Sequence, residues 1–295
     1  MIREFAPAKI NLYLHVTGRR PDGYHQLDSL TAFAGVGDEI RLEPAPRFDF
    51  IVDGPQAAAL RSETDDNNLV VRAARALAEH TGKALDLRLT LIKNLPVASG
   101  IGGGSSDAAA ALRALAQHWG LAPDDMRLLE VAASCGQDVP VCLAIENCYI
   151  TADGMAPGPE LPHTHIVLAN PGMGLGTAGV YQAFREGGDR FSPAARLKEI
   201  PRDAAELAAM LNDRHNDLAP AALRLMPEIS RVIDALQASP GCLLARMSGS
   251  GASCFGLYEG RDHARRAAVD ILAAHPGWWV IQSHIPSRRD RRRGI

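Results

Sequence analysis

Apolar residues recur along the chain with the spacings of strands and helices, which alternate from one end to the other. Ile10, Leu12 and Leu14 lie two residues apart, and this period predicts a strand with one apolar face. Between residues 69 and 80 the apolar positions follow the helical period instead, and Gly82 supplies a stop signal. Over the whole chain, these patterns predict strands at 10–16, 40–42, 48–52, 87–91, 165–169, 243–247, 253–258 and 278–285, and helices at 69–80, 105–119, 123–135, 178–186, 203–211, 225–238 and 261–274.

One short stretch breaks this alternation and indicates a boundary between two domains. Residues 153–162 read DGMAPGPELP and hold two Gly and three Pro, a composition typical of a linker. We therefore expect an α+β protein of two domains, with an N-terminal domain over 1–157 and a C-terminal domain over 158–287. The remaining residues, 288–295, form an Arg-rich tail that is either a solvated terminus or an arm for binding anions or RNA.

The composition is that of an ordinary globular protein and excludes several classes of function. Among 295 residues, 46% are hydrophobic and the net charge is −3, which argues against a disordered chain and against nucleic acid as a partner. The five Cys form no C-x-x-C pair, so neither a disulfide framework nor a Cys-rich zinc site is expected. With no signal peptide and no long apolar run, the protein is predicted to be cytoplasmic and free of membrane contact, while its oligomeric state, monomer or homodimer, stays open.

A glycine-rich segment between the strand at 87–91 and the helix at 105–119 is the strongest chemical signal. Glycines let a backbone approach a ligand closely, and a helix N-terminus favours anions, so this segment is expected to bind phosphate. A plain connection with a Ser or Asp helix cap is the alternative. No Gly-Lys-Ser/Thr ends the segment, which excludes a P-loop, and its spacing misses the dinucleotide motif G-x-G-x-x-G. The candidate phosphate-binding residues are Pro96, Val97, Ala98, Ser99, Gly100, Ile101, Gly102, Gly103, Gly104, Ser105 and Ser106.

Three further polar segments carry candidate chemistry, and each has a structural alternative. In PAKINL, the strand period puts Lys9 and Asn11 on the face opposite the apolar one, where a plain surface lysine is the alternative. In GQDVPV, Asp138 lies between a helix stop and an apolar strand, a position that is also typical of turn residues. In GRRPDGYH, Tyr24 and His25 place an aromatic ring beside an imidazole, and an exposed loop is the alternative.

The order of these segments resembles the GHMP small-molecule kinase superfamily. Lys9 comes first, then the glycine-rich segment, then Asp138, and finally the run Ser248-Gly249-Ser250-Gly251. The resemblance extends from about residue 5 to residue 258 through PAKINLYLHVTGRRPDGYH, DNNLVVRAA, PVASGIGGGSSDAA, GQDVPV, NPG with Thr177, HNDL and RMSGSGASCF. Within the superfamily the chain is most similar to the kinases of a cytidine-diphosphate-linked polyol in the non-mevalonate route to isoprenoids.

The resemblance implies a fold and a reaction. The fold would combine an N-terminal domain like the second domain of ribosomal protein S5 with a ferredoxin-like C-terminal domain. The reaction would be ATP-dependent phosphorylation of an alcohol, with ATP and Mg2+ as cofactors and the cytidine-diphosphate-linked polyol as the small-molecule partner. Lys9 and Asp138 would form the catalytic pair, with Asp138 accepting the hydroxyl proton and Lys9 stabilising the developing charge.

The same resemblance implies residues that bind the two substrates. Residues 96–106 would wrap the phosphates of ATP, Asn68 and Lys93 would lie near the adenosine, and Ser106 is the candidate ligand for Mg2+. At the cytidine end, His25 would hydrogen-bond the base edge while two tyrosines stack on the ring. The residues implied to bind this substrate are Asn11, Tyr24, His25, Thr177 and Tyr181.

Other functions compete with this one. A GHMP kinase of the homoserine, mevalonate or galactose type is disfavoured by DGYH, because Tyr24 and His25 suit a pyrimidine base. A non-catalytic nucleotide- or RNA-binding module built on the S5-like fold would need a broad basic face, which the net charge of −3 argues against. An NAD-dependent oxidoreductase would need the dinucleotide motif that the glycine spacing lacks.

Overall fold

The structure is a computed structural model and describes residues 1–21, 23–60, 67–288 and 290. Contacts group the chain into two compact units, each of which collects segments that are distant in sequence. The first unit comprises Met1–Lys9, Val36–Val97 and Gly102–Ile145, and the second comprises Ile10–Gly35, Ala98–Ile101 and Glu146–Ile295. A single domain boundary at residue 157 stays a prediction, and most of the predicted tail at 288–295 lies outside the described residues.

Strands and helices follow one another largely in the predicted order. The strands of the described residues are β1 (Ile2–Arg19), β2 (His25–Pro44), β3 (Asp49–Asp53), β4 (Leu87–Ile92), β5 (Cys148–Thr151), β6 (Gly154–Pro157), β7 (Thr164–Asn170), β8 (Cys242–Met247), β9 (Cys254–Tyr258) and β10 (Trp279–Ile285). The helices are α1 (Leu69–Thr81), α2 (Gly103–Trp119), α3 (Met126–Cys135), α4 (Val139–Ala144), α5 (Thr177–Glu186), α6 (Ala204–Asn212), α7 (Ala219–Leu225), α8 (Glu228–Gln237) and α9 (Arg261–Ala274). None of these helices is both long and apolar enough to cross a bilayer.

The first unit combines a short sheet with the helices α1 to α4. β4 pairs antiparallel with residues 39–44 of β2 and parallel with β3. α1 begins at its cap Asn68, whose side chain accepts a hydrogen bond from the Val70 N–H, and ends at Gly82 in the left-handed conformation. α2 buries ten residues, six of them Ala, and packs against α1 and α4. These small side chains permit the close packing that the Ala-rich sequence predicts.

The second unit contains a four-stranded antiparallel sheet in the order β10-β7-β9-β8. Helices α8 and α9 pack against this sheet. Its apolar core includes Leu14 and Val16 of β1 together with Val167, Val232 and Tyr258. Residues 29–31 of β2 pair with β5, which forms a hairpin with β6.

Several predictions about secondary structure differ from what is observed. The predicted linker at 153–162 contains β6, because Gly154 takes a φ of 114° that lets the chain turn back from β5. The segment after Asp138 is the helix α4 and not a strand, since Pro140 is well placed in a first helical turn. The patterns do not predict helix α7 or residues 25–39 of β2. In β2, the small and polar residues of TAFAGVGDE, at 31–39, conceal the strand period.

Candidate active site

Lys9 and Asp138 form an ion pair within the first unit. Lys9 Nζ lies 2.7 Å from Asp138 Oδ2, with the lysine side chain 5% exposed and the aspartate side chain 39% exposed. The lysine comes from β1 and the aspartate from the turn that begins α4. The fold therefore joins a buried cation to a carboxylate that a ligand can reach.

The burial of Lys9 follows from the position of β1, which is covered on both faces. Residues 6–16 of this strand are buried without interruption, so the face that carries Lys9 and Asn11 does not meet solvent. The alternative of a plain surface lysine is wrong. Gly102 also packs against this side chain, because a Cβ at that position would lie 2.9 Å from Lys9 Cβ. Because glycine has no Cβ, residue 102 does not clash with the Lys9 side chain.

The last part of the glycine-rich segment forms the start of α2 in the first unit. Gly102 caps the helix with a φ of 65°, a left-handed conformation that favours glycine. Gly103 is the first helical residue, so its backbone conformation does not require a glycine. Gly104 is exposed, and a Cβ there would meet nothing within 4 Å. Because the first N–H groups of a helix have no partner within the helix, this open turn is able to bind an anion.

The middle of the same segment, Ala98–Ile101, belongs to the second unit and packs on the loop Ser248–Gly251. Gly100 and Gly249 have φ values of 74° and 55°, and they meet where the two backbones cross closely. A Cβ on Gly100 would lie 2.5 Å from Ser248 O, and one on Gly249 would lie 2.6 Å from Gly100 O. At Gly100, the glycine therefore allows the backbone to pack closely on the loop Ser248–Gly251 of the same protein.

Two predicted substrate residues contact the loop Ser248–Gly251 in the second unit. The Asn11 backbone N–H donates to Ser248 Oγ at 3.1 Å, and Asn11 Nδ2 donates to Ser29 Oγ at 2.8 Å. Thr177, the first residue of α5, places its Oγ1 2.9 Å from Ser250 Oγ. The fold thus brings Asn11 and Thr177 to one polar loop, although they are far apart in sequence.

His25 lies in a cluster of aromatic rings in the second unit. Its ring stacks on Tyr181, with centroids 5.0 Å apart and 22° between planes, and meets the edge of Phe184 at 5.6 Å. His25 Nε2 lies 3.3 Å from Asp189 Oδ1, and the histidine side chain is 5% exposed. Tyr24 is 60% exposed, while the first residue of DGYH lies outside the described residues. Of the residues predicted to bind the cytidine, His25 and Tyr181 are therefore in contact, and Tyr24 is open to solvent.

The two residues predicted near the adenosine have partners within the first unit. Asn68 caps α1, as described above. Lys93 is buried, with its ammonium group paired to Asp38 and lying 2.9 Å from Asp107 Oδ2. Burial lowers the pKa of Lys93, but the Asp107 and Asp38 carboxylates raise it more, so the net shift is upward. The assignments of Asn68 and Lys93 to the adenosine stay predictions.

Asp107 is a buried acid with one unsatisfied oxygen. Burial raises the pKa of Asp107 to about 8, Lys93 opposes this shift, and Asp38 adds to it. Asp107 Oδ1 has no hydrogen-bond partner among the described residues. Asp38 Oδ1, in contrast, accepts hydrogen bonds from the backbone N–H groups of Asn94 and Leu95. No local sequence pattern connects these two acids with Lys93, since they lie 55 and 14 residues from it.

Ser106, the candidate magnesium ligand, is buried in the first turns of α2. Its Oγ donates a hydrogen bond to Pro7 O at 2.7 Å, which leaves the lone pairs of the hydroxyl oxygen available. Among the described residues, no group of three His, Cys, Asp or Glu side chains could hold a metal ion. Mg2+ in kinases is held by phosphates, water and one or two carboxylates, so the Ser106 hydroxyl would be one ligand among several.

The chain is similar to known proteins in both sequence and structure. The chain matches the family GHMP kinases N terminal domain over residues 68–145 and the family GHMP kinases C terminal over residues 193–276. A protein of Paramagnetospirillum magneticum named 4-diphosphocytidyl-2-C-methyl-D-erythritol kinase is 49% identical over 284 residues, which cover 96% of this chain and 98% of that protein. A crystal structure of 4-(cytidine 5'-diphospho)-2C-methyl-D-erythritol kinase matches with a TM-score of 0.77 at 34% identity, over 97% of this chain and 100% of that chain.

A homoserine kinase from Cytophaga hutchinsonii is similar with a TM-score of 0.71 over 96% of this chain and 94% of that chain. At 18% identity, this likeness shows the fold alone.

Both matched families and the α+β architecture define the chain as a two-domain GHMP kinase, an ATP-dependent kinase of small molecules. Relatives that share about half of the residues over almost the whole chain define the family within this class. The chain belongs to the 4-diphosphocytidyl-2-C-methyl-D-erythritol kinases. The predictions of the family, of the reaction class and of the α+β fold are confirmed, and the competing kinases and non-catalytic modules are not favoured.

Proposed function

We propose that this chain transfers the γ-phosphoryl group of ATP to the 2-hydroxyl of 4-diphosphocytidyl-2-C-methyl-D-erythritol, in the non-mevalonate route to isoprenoid precursors. Membership of the family supports the reaction. The ion pair between Lys9 and Asp138 is the observation that carries the proposal, because it combines the two groups that the chemistry needs.

Phosphoryl transfer to an alcohol requires that the hydroxyl be placed, its proton accepted and the charge of the transferring group balanced. Asp138 is the group that accepts the proton, and its partial exposure allows a bound hydroxyl to approach it. Lys9, 2.7 Å away, orients this carboxylate and provides a compact positive charge for the phosphoryl oxygens. The close packing of Gly102 on Lys9 restricts where that charge lies.

The start of α2 is the proposed site for the ATP phosphates. Its free N–H groups and the open space at Gly104 support this assignment, since a phosphate oxygen can approach the backbone there. When bound, Mg2+ would balance phosphate charge, with Ser106 as its candidate protein ligand. Asn68 and Lys93 remain the candidates for residues near the adenosine.

The ring cluster of the second unit is the proposed site for cytosine. Tyr181 and the exposed Tyr24 offer faces on which a base can stack, an interaction worth about 1–3 kcal/mol per base. His25 offers a ring nitrogen for the base edge. Asn11 and Thr177, which contact the loop Ser248–Gly251, are the candidates for binding the rest of this substrate.

A comparison of acceptors tests the proposal. ADP release is measured with 4-diphosphocytidyl-2-C-methyl-D-erythritol, mevalonate and homoserine in parallel, and phosphorus NMR identifies the oxygen that is phosphorylated. We expect turnover with the cytidyl substrate alone, with the new phosphate on its 2-hydroxyl. Comparable turnover of mevalonate or homoserine, or a folded enzyme that is inactive with the cytidyl substrate, would contradict the proposal.

A further inference from the structure

The chain that follows α5 carries an aspartate to the ring of His25. After Gly187 and Gly188, Asp189 takes a φ of 42°, within the left-handed region that few side chains adopt. Its Oδ1 lies 3.3 Å from His25 Nε2, and its Oδ2 lies 3.3 Å from Arg19 Nη1. Both oxygens of this carboxylate therefore have a partner, and one of these partners is the histidine assigned to the base.

The residues that come after Asp189 are fixed to the rest of the second unit. The Ser192 N–H donates to Val16 O at 2.9 Å, and the Ala195 N–H donates to the buried Asp28 at 2.6 Å. These bonds join a segment without helix or strand to β1 and β2. These hydrogen bonds fix the segment that follows Asp189 and thereby hold the Asp189 carboxylate beside the ring of His25.

The contact determines which nitrogen of His25 carries the hydrogen. A carboxylate only accepts hydrogen bonds, so His25 Nε2 must donate to Asp189. In a neutral imidazole, Nδ1 is then an acceptor without a hydrogen. Stacking on Tyr181 and the edge contact with Phe184 keep the ring in this orientation. Of the two nitrogens, Nδ1 is the one that Asp189 leaves for a base.

The hydrogen-bonding character of Nδ1 distinguishes the two pyrimidines. Cytosine presents an amine at its 4-position, which donates, whereas uracil presents a carbonyl oxygen there, which accepts. An acceptor at Nδ1 pairs with the amine, but it faces the lone pairs of the carbonyl. The opposite tautomer, with the hydrogen on Nδ1, would favour the carbonyl instead.

We propose that Asp189 is a positioning residue that makes the base site select cytosine over uracil, by holding His25 in the tautomer whose Nδ1 accepts a hydrogen bond. The proposal rests on the proposed function, in which His25 meets the base. Asp189 acts through His25 and does not itself contact the base.

Asp189→Asn is the variant that tests this role, because Asn also tolerates a left-handed φ and has nearly the same shape. Its amide both donates and accepts, so it no longer imposes one tautomer. Glu186→Gln removes the same charge at the exposed end of α5 and serves as the matched control. Calorimetry then gives the affinities of CDP and UDP for the wild type and for each variant. We expect Asp189→Asn to reduce the CDP-to-UDP preference by roughly tenfold, the effect of about one hydrogen bond, and Glu186→Gln to leave it unchanged.

The nitrogen chemical shifts of His25 provide a readout that does not depend on any ligand. In protein labelled with 15N-histidine, we expect Nε2 to carry the hydrogen in the wild type and the two tautomers to mix in Asp189→Asn. A preference that stays unchanged in this variant overturns the proposal, as does an equal loss of CDP and UDP affinity. If the wild type binds no CDP, the proposed base site itself is wrong, and the shifts still report whether Asp189 fixes the tautomer.

Discussion

Replacing Gly102 by Ala tests whether this glycine is required by the Lys9 side chain. The new Cβ would lie 2.9 Å from Lys9 Cβ and 3.1 Å from Lys9 Cε, so the lysine or the backbone must shift. The backbone φ of 65° adds about 1–2 kcal/mol of strain for a residue with a Cβ. Overpacking against Lys9 destabilises the folded state by about a further 1–3 kcal/mol. The lower conformational entropy of the unfolded Ala variant offsets about 0.4–1 kcal/mol of this loss.

We therefore expect Gly102→Ala to lower the free energy of unfolding by roughly 1–5 kcal/mol. Because Lys9 is displaced from its distance of 2.7 Å to Asp138, kcat should also fall by more than about tenfold. Urea denaturation and steady-state kinetics measure the two quantities on the same preparation.

Gly104→Ala is the matched control, because it adds the same methyl group two residues away. A Cβ there meets nothing within 4 Å, and the helical backbone favours Ala over Gly by up to about 1 kcal/mol. The stability of Gly104→Ala should therefore equal or exceed that of the wild type. If this variant nevertheless loses ATP affinity, the cause is contact between the new methyl group and the phosphates, and not a loss of stability. If Gly102→Ala retains wild-type stability and kcat, the Lys9 side chain does not require a glycine at 102.

Three further predictions concern buried or half-buried polar groups. Since the pKa of Asp107 is raised to about 8, the folded state keeps a proton that the unfolded chain releases near pH 4. Stability should therefore fall as pH rises from about 4 to 8, by at most ~1.4 kcal/mol per pH unit from this group, and urea denaturation of Asp107→Asn should show a flatter profile. Arg246→Met should cost roughly 2–4 kcal/mol by thermal unfolding, because the guanidinium donates to three backbone carbonyls, those of Leu12, Leu211 and Arg214. Burial raises the pKa of Cys142 to about 12, so mass spectrometry should find this thiol unmodified by an alkylating reagent at pH 8 in native protein and modified after denaturation.

Sequence periodicity predicts the elements well where one face is apolar and the other polar. The helix at 69–80 and the strand at 87–91 meet this condition, and both lie within one residue of the observed α1 and β4. The method fails where both faces are buried, as in β1, because alternation alone does not distinguish a solvent face from a second buried face. It also fails for residues 31–39 of β2, whose Gly and Ala residues carry no period.

In the candidate site, continuous motifs can be recognised from the sequence, whereas contacts between distant residues cannot. The glycine-rich segment, Lys9 and Asp138 were recognisable because their motifs are continuous in sequence. The pairing of Lys93 with Asp38 crosses 55 residues, and that of His25 with Asp189 crosses 164. Such contacts depend on how strands and loops come together in three dimensions, and a single sequence does not record them. The aspartates at 38 and 189 therefore became visible only in the fold.

The rate of phosphoryl transfer in Asp138→Asn tests whether Asp138 accepts the proton of the substrate hydroxyl. A rapid-quench experiment with saturating ATP and 4-diphosphocytidyl-2-C-methyl-D-erythritol isolates the chemical step, and Asp49→Asn, which removes an exposed carboxylate on β3, serves as the control. We expect Asp138→Asn to slow transfer by a factor on the order of 10²–10⁴ while ATP affinity stays within about threefold of the wild type. Transfer at a rate within about threefold of the wild type would contradict the assignment of Asp138 as the proton acceptor beside Lys9.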